Sequence, residues 1–242
     1  MSPDKRPAVI SAVVVAAGRG RRMESKVPKA YIQLHGLPIL CHTLMRLQRH
    51  LPSLREILVV VNREDREGVL ERWQRHITAA GATSFIDGGE SRQESVKAGV
   101  EATTDAADLI LIHDAVRPFF PPEGMRQACR RALQLGGAIL AVPLADTLKR
   151  RGLEDLVGET VDRKGLYLGQ TPQVFRREVI LASIRRATGV GGRVTDDAQL
   201  VEEAGYKVAL VPGSTRNIKI TTPDDLVLAR GLLAVEEEGG EA

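Results

Sequence analysis

Aromatic side chains are scarce in this sequence, because Phe, Trp and Tyr together make up 3% of its 242 residues. A surface that coats nucleic acid usually combines widely spread positive charge with stacking aromatic side chains. Here the formal net charge is only +3, from 34 Lys and Arg against 31 Asp and Glu. Nucleic acid is therefore not an expected partner.

Cysteine is also scarce, and the two residues present, Cys41 and Cys129, lie far apart in the chain. Their spacing matches no metal site, so we expect two buried, reduced thiols in a reducing compartment. No apolar run approaches the about 20 residues that span a bilayer. Residues 1–7 lead straight into a strand-like run and lack the apolar segment of a signal peptide. We expect a cytoplasmic protein with no membrane partner.

Apolar residues make up 43% of the chain, which is enough for a hydrophobic core and excludes a mainly disordered protein. Short β-branched runs alternate with helical patterns almost from end to end. Runs such as Ser11–Ala16 and Leu109–Ile112 are nearly all apolar, as in strands that are buried on both faces. This alternation predicts a Rossmann-like, three-layer α/β/α fold with a mostly parallel twisted sheet.

The predicted elements cover most of the chain. Strands are predicted over Ser11–Ala16, Glu56–Val61, Thr83–Ile86, Leu109–Ile112, Ala138–Val142, Tyr206–Val211 and Asn217–Ile220. Helices are predicted over Pro38–His50, Arg63–Ala79, Ser91–Ala102, Pro122–Leu135, Arg176–Ala187 and Thr195–Ala204, and a last helix follows Thr222 as its N-cap. The whole of residues 1–242 is thus interpreted as a single domain.

The alternation stops between Pro143 and Thr171. This stretch contains four glycines, mixed charges and two short β-like pieces, Asp146–Lys149 and Thr160–Asp162. Such a pattern is typical of a hairpin. We therefore predict a protruding β-hairpin arm over residues 143–170.

The loop after the first predicted strand concentrates positive charge, since five cations fall within eleven residues and Glu24 alone opposes them. The five are Arg19, Arg21, Arg22, Lys26 and Lys29. Ligands of open parallel sheets bind at the carboxyl ends of strands, and cations this crowded repel one another unless an anion binds among them. Because Gly18 and Gly20 also let backbone N–H groups approach a phosphate, we predict a phosphate-binding loop.

Two common phosphate-binding loops do not match this segment. A dinucleotide-binding fingerprint needs a third glycine where Met23 stands, and an acidic residue about 20 positions later that is absent. A Walker loop ends in Gly-Lys-Ser/Thr, which is also absent. The predicted site is therefore of neither kind.

Polar residues also follow later strands. Asp114 comes directly after Leu109–Ile112 and His113, where a carboxylate facing a phosphate would suit Mg²⁺, although a structural salt bridge with Arg117 is the alternative. We interpret His113 as a hydrogen-bonded structural residue and not as a general base. The glycine turn over residues 87–91 would suit close approach to a flat ligand such as a base.

Taken together, these loops resemble a known family. The run AAGRGRRMESKVPKAY is followed in order by DGGESRQESV, HDAVRP, DTLK, VDR, LGQTPQ, TDDA and NIKIT. Over roughly residues 8–232 the chain resembles the 2-C-methyl-D-erythritol 4-phosphate cytidylyltransferases, and its first loop is shared with sugar nucleotidyltransferases. The resemblance implies that CTP and methylerythritol phosphate are joined to give 4-CDP-2-C-methyl-D-erythritol and pyrophosphate, in non-mevalonate isoprenoid biosynthesis.

The resemblance also implies roles for individual residues. Cytidine would be bound by Ala16, Ala17, Gly18, Gly89, Glu90 and Ser95. Catalysis at the triphosphate would depend on Arg22, Lys29 and Lys219. The methylerythritol phosphate would lie among Asp114, Arg117, Thr147, Arg163 and Thr171. Asp114 would also sit at Mg²⁺, and a homodimer formed through the arm would bring Arg163 into the partner's site.

Two other functions remain open from the sequence. The chain could be a cytidylyltransferase for another polyol phosphate, such as ribitol 5-phosphate, with the difference lying around the arm. It could also be a nucleotide-binding protein without catalysis. The presence of Arg22, Lys29, Asp114 and Lys219 argues against the second alternative, since binding alone would not need all four.

Overall fold

The computed structural model describes residues 6–18, 27–187 and 195–239. Its strands are β1 (Ile10–Val15), β2 (Gln33–Leu34), β3 (Leu37–Pro38), β4 (Leu54–Val61), β5 (Ser84–Asp87), β6 (Leu109–Asp114), β7 (Gly136–Pro143), β8 (Leu148–Arg151), β9 (Val157–Val161), β10 (Tyr167–Arg176) and β11 (Lys207–Pro212). Its α-helices are α1 (Ile39–His50), α2 (Glu71–Ala79), α3 (Arg92–Glu101), α4 (Pro122–Leu135), α5 (Arg177–Ala187), α6 (Asp197–Glu203) and α7 (Pro223–Gly239).

Seven of the described strands form the central sheet, in the order β11-β7-β10-β6-β1-β4-β5. β1 pairs in parallel with both β4 and β6, and the pairs β4–β5 and β7–β11 are also parallel. The chain runs outward from β1 to β4 and β5, and then returns to β6 on the other side of β1. This reversal is a topological switch point, beside which α/β sheets bind their ligands.

Helices cover both faces of the sheet because successive strand residues point to opposite sides. Ala12 and Val14 of β1 belong to one core cluster together with Leu44 of α1. Val13 belongs to the second cluster together with Val100 of α3. The predicted three-layer fold with a mostly parallel sheet is confirmed, and its core lies on both faces of β1 and β6.

The sequence did not predict β10, which lies inside the sheet and runs antiparallel to both β6 and β7. Its register shifts between Gln170 and Gln173, where the chain passes from the arm into the sheet. Polar residues interrupt the apolar pattern of this strand, although Gln170, Thr171 and Gln173 are themselves buried. The sequence placed residues 167–170 in the arm and assigned no element to residues 171–175, whereas both stretches belong to β10.

Two further sequence predictions were wrong in detail. Asn217–Ile220 is not a strand, and its burial does not alternate, because Asn217 and Ile220 are buried three positions apart. The Ile220 N–H bonds to the Val116 carbonyl, in the loop after β6, at 3.0 Å. The helix predicted over Arg63–Ala79 becomes α-helical only from Glu71. Gly68, with φ of +97°, breaks the preceding turns because it adopts a conformation that other residues rarely adopt.

The hairpin of β8 and β9 forms a separate antiparallel two-stranded sheet within the predicted arm. Its strands begin and end a few residues away from the predicted pieces Asp146–Lys149 and Thr160–Asp162. Nearly all of its side chains are exposed, including those of Leu153 and Leu156. Elsewhere, no helix in the described ranges combines the length and the apolar character needed to cross a bilayer.

We expect Gly99→Ala to lower the free energy of unfolding by about 1–2 kcal/mol, because overpacking outweighs the gain in helix propensity. A Cβ at Gly99 of α3 would collide with Val13 and lie 2.8 Å from Val60 Cγ2. Urea unfolding measures the change. The matched control is Gly231→Ala in α7, where a Cβ meets nothing within 4 Å, and this variant should be unchanged or more stable by up to about 1 kcal/mol. Equal stabilisation of both variants would contradict the packing described.

Candidate active site

A cavity of about 980 Å³ opens at the carboxyl ends of the central strands. It is lined by the loops after β1, β4, β5 and β6, together with the start of α3. The lining residues of these segments include Ala16, Ala17, Gly18, Asn62, Arg63, Glu64, Gly88, Gly89, Glu90, Ser91, Arg92, Ser95, Asp114, Ala115 and Val116. Lys29 and Lys219 also line it. All six residues that the resemblance implies for cytidine therefore meet at one cavity.

On one side of the cavity the loops after β1 and β5 pack closely together. A Cβ at Gly88 would lie 2.7 Å from Ser95 Oγ and 2.8 Å from Ala17 Cβ, so only glycine allows the two loops to approach this closely. Ser91 begins α3 with a capping box, in which its Oγ accepts from the Glu94 N–H and its own N–H donates to the Glu94 carboxylate. This packing and the capping box fix the glycine turn at Gly88 and Gly89, which lines the cavity with little side chain in the way of a flat ring.

Another part of the cavity wall is built around Asp114, the last residue of β6. Its carboxylate lies 2.9 Å from Lys219 Nζ and 3.3 Å from Arg117 Nε, both through Oδ2, and 3.5 Å from Arg92 Nε through Oδ1. Burial would raise the pKa of Asp114, but the charges of Lys219, Arg92 and Arg117 outweigh it and hold this pKa well below the usual range. Asp114 therefore stays ionised and organises three cations at the cavity.

Sequence reasoning missed a second carboxylate in this cluster. Arg92 donates through Nη1 and Nη2 to the two carboxylate oxygens of Asp197 at 2.9 and 2.8 Å. Burial raises the pKa of Asp197, although Arg92 opposes this effect. Both residues lie within motifs quoted for the resemblance, DGGESRQESV and TDDA, but neither was singled out. Asn62 and Arg63, which also line the cavity, carried no signal in the sequence.

A chain of hydrogen bonds between uncharged groups supports the backbone of Asp114. The Asp114 N–H donates to Thr171 Oγ1 at 3.1 Å, and the Thr171 hydroxyl lies 2.9 Å from His113 Nδ1. His113 Nε2 lies 3.0 Å from the Arg117 carbonyl, so this nitrogen carries the ring proton and Nδ1 accepts from Thr171. Because burial lowers the pKa of His113 to about 4, the ring is neutral at pH 7. His113 thus has the structural role that the sequence predicts.

Asn217 fixes the segment that carries Lys219. Its carbonyl accepts from Arg117 Nη1 at 2.7 Å, and its Nδ2 donates to the Thr171 carbonyl at 2.9 Å and to Gln170 Oε1 at 3.1 Å. Asn217 is fully buried. These contacts join the middle of β10 to the Lys219 segment and so determine where the lysine reaches the cavity.

The remaining predicted site residues are distributed differently. Lys29 lies in a 3₁₀ turn over Lys29–Tyr31 and lines the cavity. Thr147 and Arg163 are exposed on the arm, outside the residues that line this cavity. Thr171 is buried behind Asp114 and is not a lining residue. Arg22 lies outside the described residues.

Asp114 is the candidate metal ligand. In the ranges that the structure describes, no group of three or more His, Cys, Asp or Glu side chains could hold a metal ion by itself. The Oδ1 atom of Asp114 has only the 3.5 Å contact with Arg92 among the ion pairs of the described residues. This donor set fits Mg²⁺ that takes most of its ligands from phosphate oxygens and water, with a single protein carboxylate.

We expect Asp114→Asn to lower the free energy of unfolding at pH 7 by about 1–3 kcal/mol, because it leaves the partly buried cations Arg117, Arg92 and Lys219 without their counter-charge. The pKa of Asp114 lies below its unfolded value of about 3.9. The ionised carboxylate therefore stabilises the folded protein above about pH 4. This stabilisation is lost as the pH falls through the pKa of Asp114 in the folded state. The difference in the free energy of unfolding between the variant and the parent protein should become smaller below about pH 4. Denaturant titrations at one protein concentration measure this difference.

The control for this experiment is Asp146→Asn, which changes an exposed aspartate of the arm. We expect its stability to differ by less than about 0.5 kcal/mol at every pH tested. An Asp114→Asn variant that stayed as stable as the parent at pH 7 would contradict the arrangement of charges described for the cavity.

Comparison with known proteins agrees with this geometry. The family model for 2-C-methyl-D-erythritol 4-phosphate cytidylyltransferase matches residues 10–235. A cytidylyltransferase of that name from Syntrophus aciditrophicus is 41% identical over 232 residues, which cover 96% of this chain and 98% of the relative. The bifunctional enzyme IspD/IspF of Rhodospirillum rubrum is 43% identical over 232 residues, which cover 59% of that longer chain.

Solved structures give the same result. The crystal structure of 2-C-methyl-D-erythritol 4-phosphate cytidylyltransferase from Thermus thermophilus has a TM-score of 0.77 at 34% identity, covering 94% of this chain and 100% of its own. The 4-diphosphocytidyl-2C-methyl-D-erythritol synthase from Anaerococcus prevotii has a TM-score of 0.79 at 30% identity, covering 94% and 96%. The chain therefore belongs to the 2-C-methyl-D-erythritol 4-phosphate cytidylyltransferase family of nucleotidyltransferases.

Proposed function

We propose that this protein joins CTP and 2-C-methyl-D-erythritol 4-phosphate in the cavity at the carboxyl ends of β1, β4, β5 and β6. The products are 4-CDP-2-C-methyl-D-erythritol and pyrophosphate, in non-mevalonate isoprenoid biosynthesis. The observation that carries the proposal is the buried Asp114 carboxylate with Lys219, Arg117 and Arg92 around it, at a cavity that is also lined by a glycine turn.

The reaction needs positive charge more than it needs a base. The nucleophile is an oxygen of the methylerythritol phosphate, which is already ionised near neutral pH because the second pKa of a phosphomonoester is about 6. This oxygen bonds to the α-phosphorus of CTP as the bond to the leaving pyrophosphate breaks. His113 is neutral and already hydrogen-bonded to Thr171 and Arg117, and the mechanism does not use it.

The side chains of the cavity divide this work. The glycine turn at Gly88 and Gly89 lies against the cytosine ring, while Lys29 and Lys219, which both line the cavity, contact the triphosphate. Arg22 acts with Lys29, on the basis of the resemblance. Fixed positive groups bring the two anionic substrates together and stabilise the charge that develops on the α-phosphate and on the leaving group.

Mg²⁺ completes the proposal, with Asp114 as its protein ligand. When bound, the ion would neutralise charge on the phosphates. On the basis of the resemblance, Asp114 and Arg117 also bind the methylerythritol phosphate. The Thr171 hydroxyl holds Asp114 in place by accepting from the backbone N–H of Asp114.

A homodimer formed through the arm is part of the proposal. The arm exposes large apolar side chains, those of Leu153, Leu156, Val157, Tyr167 and Leu168. Contiguous exposed apolar surface is typical of an interaction site. Thr147 and Arg163 are carried on the same arm, and in a dimer they would serve the partner's cavity.

A reducing, cytoplasmic location is also proposed. Cys41 and Cys129 are free thiols inside the protein. Burial raises the pKa of Cys41 to about 11 and that of Cys129 to about 12. Two protonated thiols that form no disulfide are typical of proteins from a reducing compartment.

The first test is release of pyrophosphate from CTP, UTP or ATP with methylerythritol phosphate or ribitol 5-phosphate. We expect turnover with CTP and methylerythritol phosphate in the presence of Mg²⁺, and loss of turnover when EDTA removes the metal. Faster turnover with ribitol 5-phosphate would assign the protein to another polyol phosphate. Nucleotide binding without pyrophosphate release from any pair would contradict an enzymatic function.

We expect Lys29→Ala and Arg22→Ala each to lower kcat by about 10²–10³-fold while the Kd for CTP changes much less, because these cations act mainly on charge that develops in the transition state. Steady-state kinetics and calorimetric CTP titration separate the two effects. The matched control is Lys207→Ala, which removes an exposed lysine of β11. Parental turnover in both cavity variants would refute their assigned roles.

We expect a sedimentation mass near twice the 26.3 kDa of one chain. Shared sites can be tested by mixing two inactive variants, Lys29→Ala and Arg163→Ala, under conditions that exchange subunits. If Arg163 serves the partner's cavity, each mixed dimer has one intact site, and random pairing restores roughly a quarter of the parental activity. A monomeric mass, or no recovery after exchange, would contradict the dimer proposed here.

A further inference from the structure

Arg92 joins two carboxylates at the cavity wall. Its two terminal nitrogens bind Asp197 in a bidentate pair, and its Nε faces Asp114 Oδ1 at 3.5 Å. The side chain of Asp197 is 2% exposed, whereas that of Arg92 is 32% exposed and lines the cavity. A buried carboxylate therefore holds an arginine that reaches the site.

Asp197 is itself fixed from the other side by β10. Gln173 donates through Nε2 to the neighbouring Asp196 at 2.8 Å, and its Oε1 accepts from the Ala198 N–H at 3.0 Å. Asp196 also caps α6 by accepting from the Gln199 N–H. These contacts fix the first turn of α6 independently of Arg92. Asp197 is therefore held in place by its own helix, and it positions the Arg92 guanidinium.

The charge balance depends on this anchor. Three cations, Lys219, Arg117 and Arg92, face Asp114, and Asp197 supplies the second negative charge. Without that charge, the Arg92 fork would be free to turn and form a bidentate pair with Asp114, in competition with Lys219. Lys219 would then lose the contact that holds its ammonium group at the cavity.

We propose that Asp197 is a positioning residue of the transfer reaction. It acts through Arg92, keeping the Asp114 carboxylate directed at Lys219 and Arg117 and leaving one net positive charge for the substrate phosphates. This inference rests on the proposed function, because it assigns Lys219 to the triphosphate. Neither Arg92 nor Asp197 is among the residues implied by the resemblance to the family.

The test compares Asp197→Asn with Asp196→Asn. Both keep the size of the side chain, but only the first removes the charge that Arg92 pairs with. We expect Asp197→Asn to lower kcat about 10- to 100-fold, as small displacements of reacting groups do, with the KM for CTP changed less than about twofold. Asp196→Asn keeps the Asp197 charge and the cap on the Gln199 N–H, so its kcat should stay within about twofold of the parent, even if the weakened contact with Gln173 lowers its Tm.

A double-mutant cycle distinguishes positioning from folding. If Asp197 acts through Arg92, then Arg92→Gln combined with Asp197→Asn should be no slower than Arg92→Gln alone, because the interaction is already lost. Losses in kcat that multiply, or a parental kcat in Asp197→Asn, would overturn the proposal. The turnover of the parent protein, measured in the same assay, tests the proposed function separately.

Arg92→Lys covers the case in which Asp197→Asn does not fold. It keeps the positive charge beside Asp197 but removes the bidentate fork. We expect its kcat to fall about 10- to 100-fold, for the same reason of displaced reacting groups. A parental kcat in this variant would overturn the proposal as well.

Discussion

The site depends on one buried carboxylate. Asp114 ends β6 with little exposure to water, and its two oxygens face the cations of Lys219, Arg117 and Arg92. Arg117 follows Asp114 in the same loop, whereas Arg92 and Lys219 belong to segments that are distant in the chain, so their common partner defines where these segments meet. A charge taken out of water in this way needs close partners, and the same contacts aim positive groups at the cavity.

The sheet explains why this carboxylate stands where a ligand can bind. β1 and β6 are neighbours in parallel, with the chain leaving β1 for one side of the sheet and returning to β6 on the other. The loops after these strands diverge at this point and leave room between them. The cations that Asp114 gathers therefore lie at a cavity of about 980 Å³ and not on a flat surface.

Neutral polar groups hold the carboxylate in position without competing for its charge. The chain of hydrogen bonds from the Asp114 N–H through Thr171 to His113 ends at a backbone carbonyl. Asn217 connects Thr171 to the segment of Lys219 in the same way. Because His113 is neutral at pH 7, these contacts hold Asp114 in place without adding charge to the cavity.

The sequence by itself determined the layered fold and one part of the site. Strands such as β1 and β6 are nearly all apolar because both of their faces are covered, which is a local pattern that can be read directly. The crowded cations after β1 and the carboxylate Asp114 after β6 were also visible, since each follows a recognisable strand. The roles of Lys29 and Lys219 came from the resemblance to the family.

Only the tertiary structure decided how the polar residues pair. β10 escaped prediction because Gln170, Thr171 and Gln173 interrupt its apolar pattern, and they are tolerated inside the sheet only through partners elsewhere in the chain. The pair of Arg92 and Asp197 joins positions 105 residues apart. The periodicity of apolar residues shows which face of one element is buried. A hydrogen bond between distant elements does not alter this pattern in either element, so the sequence does not reveal it.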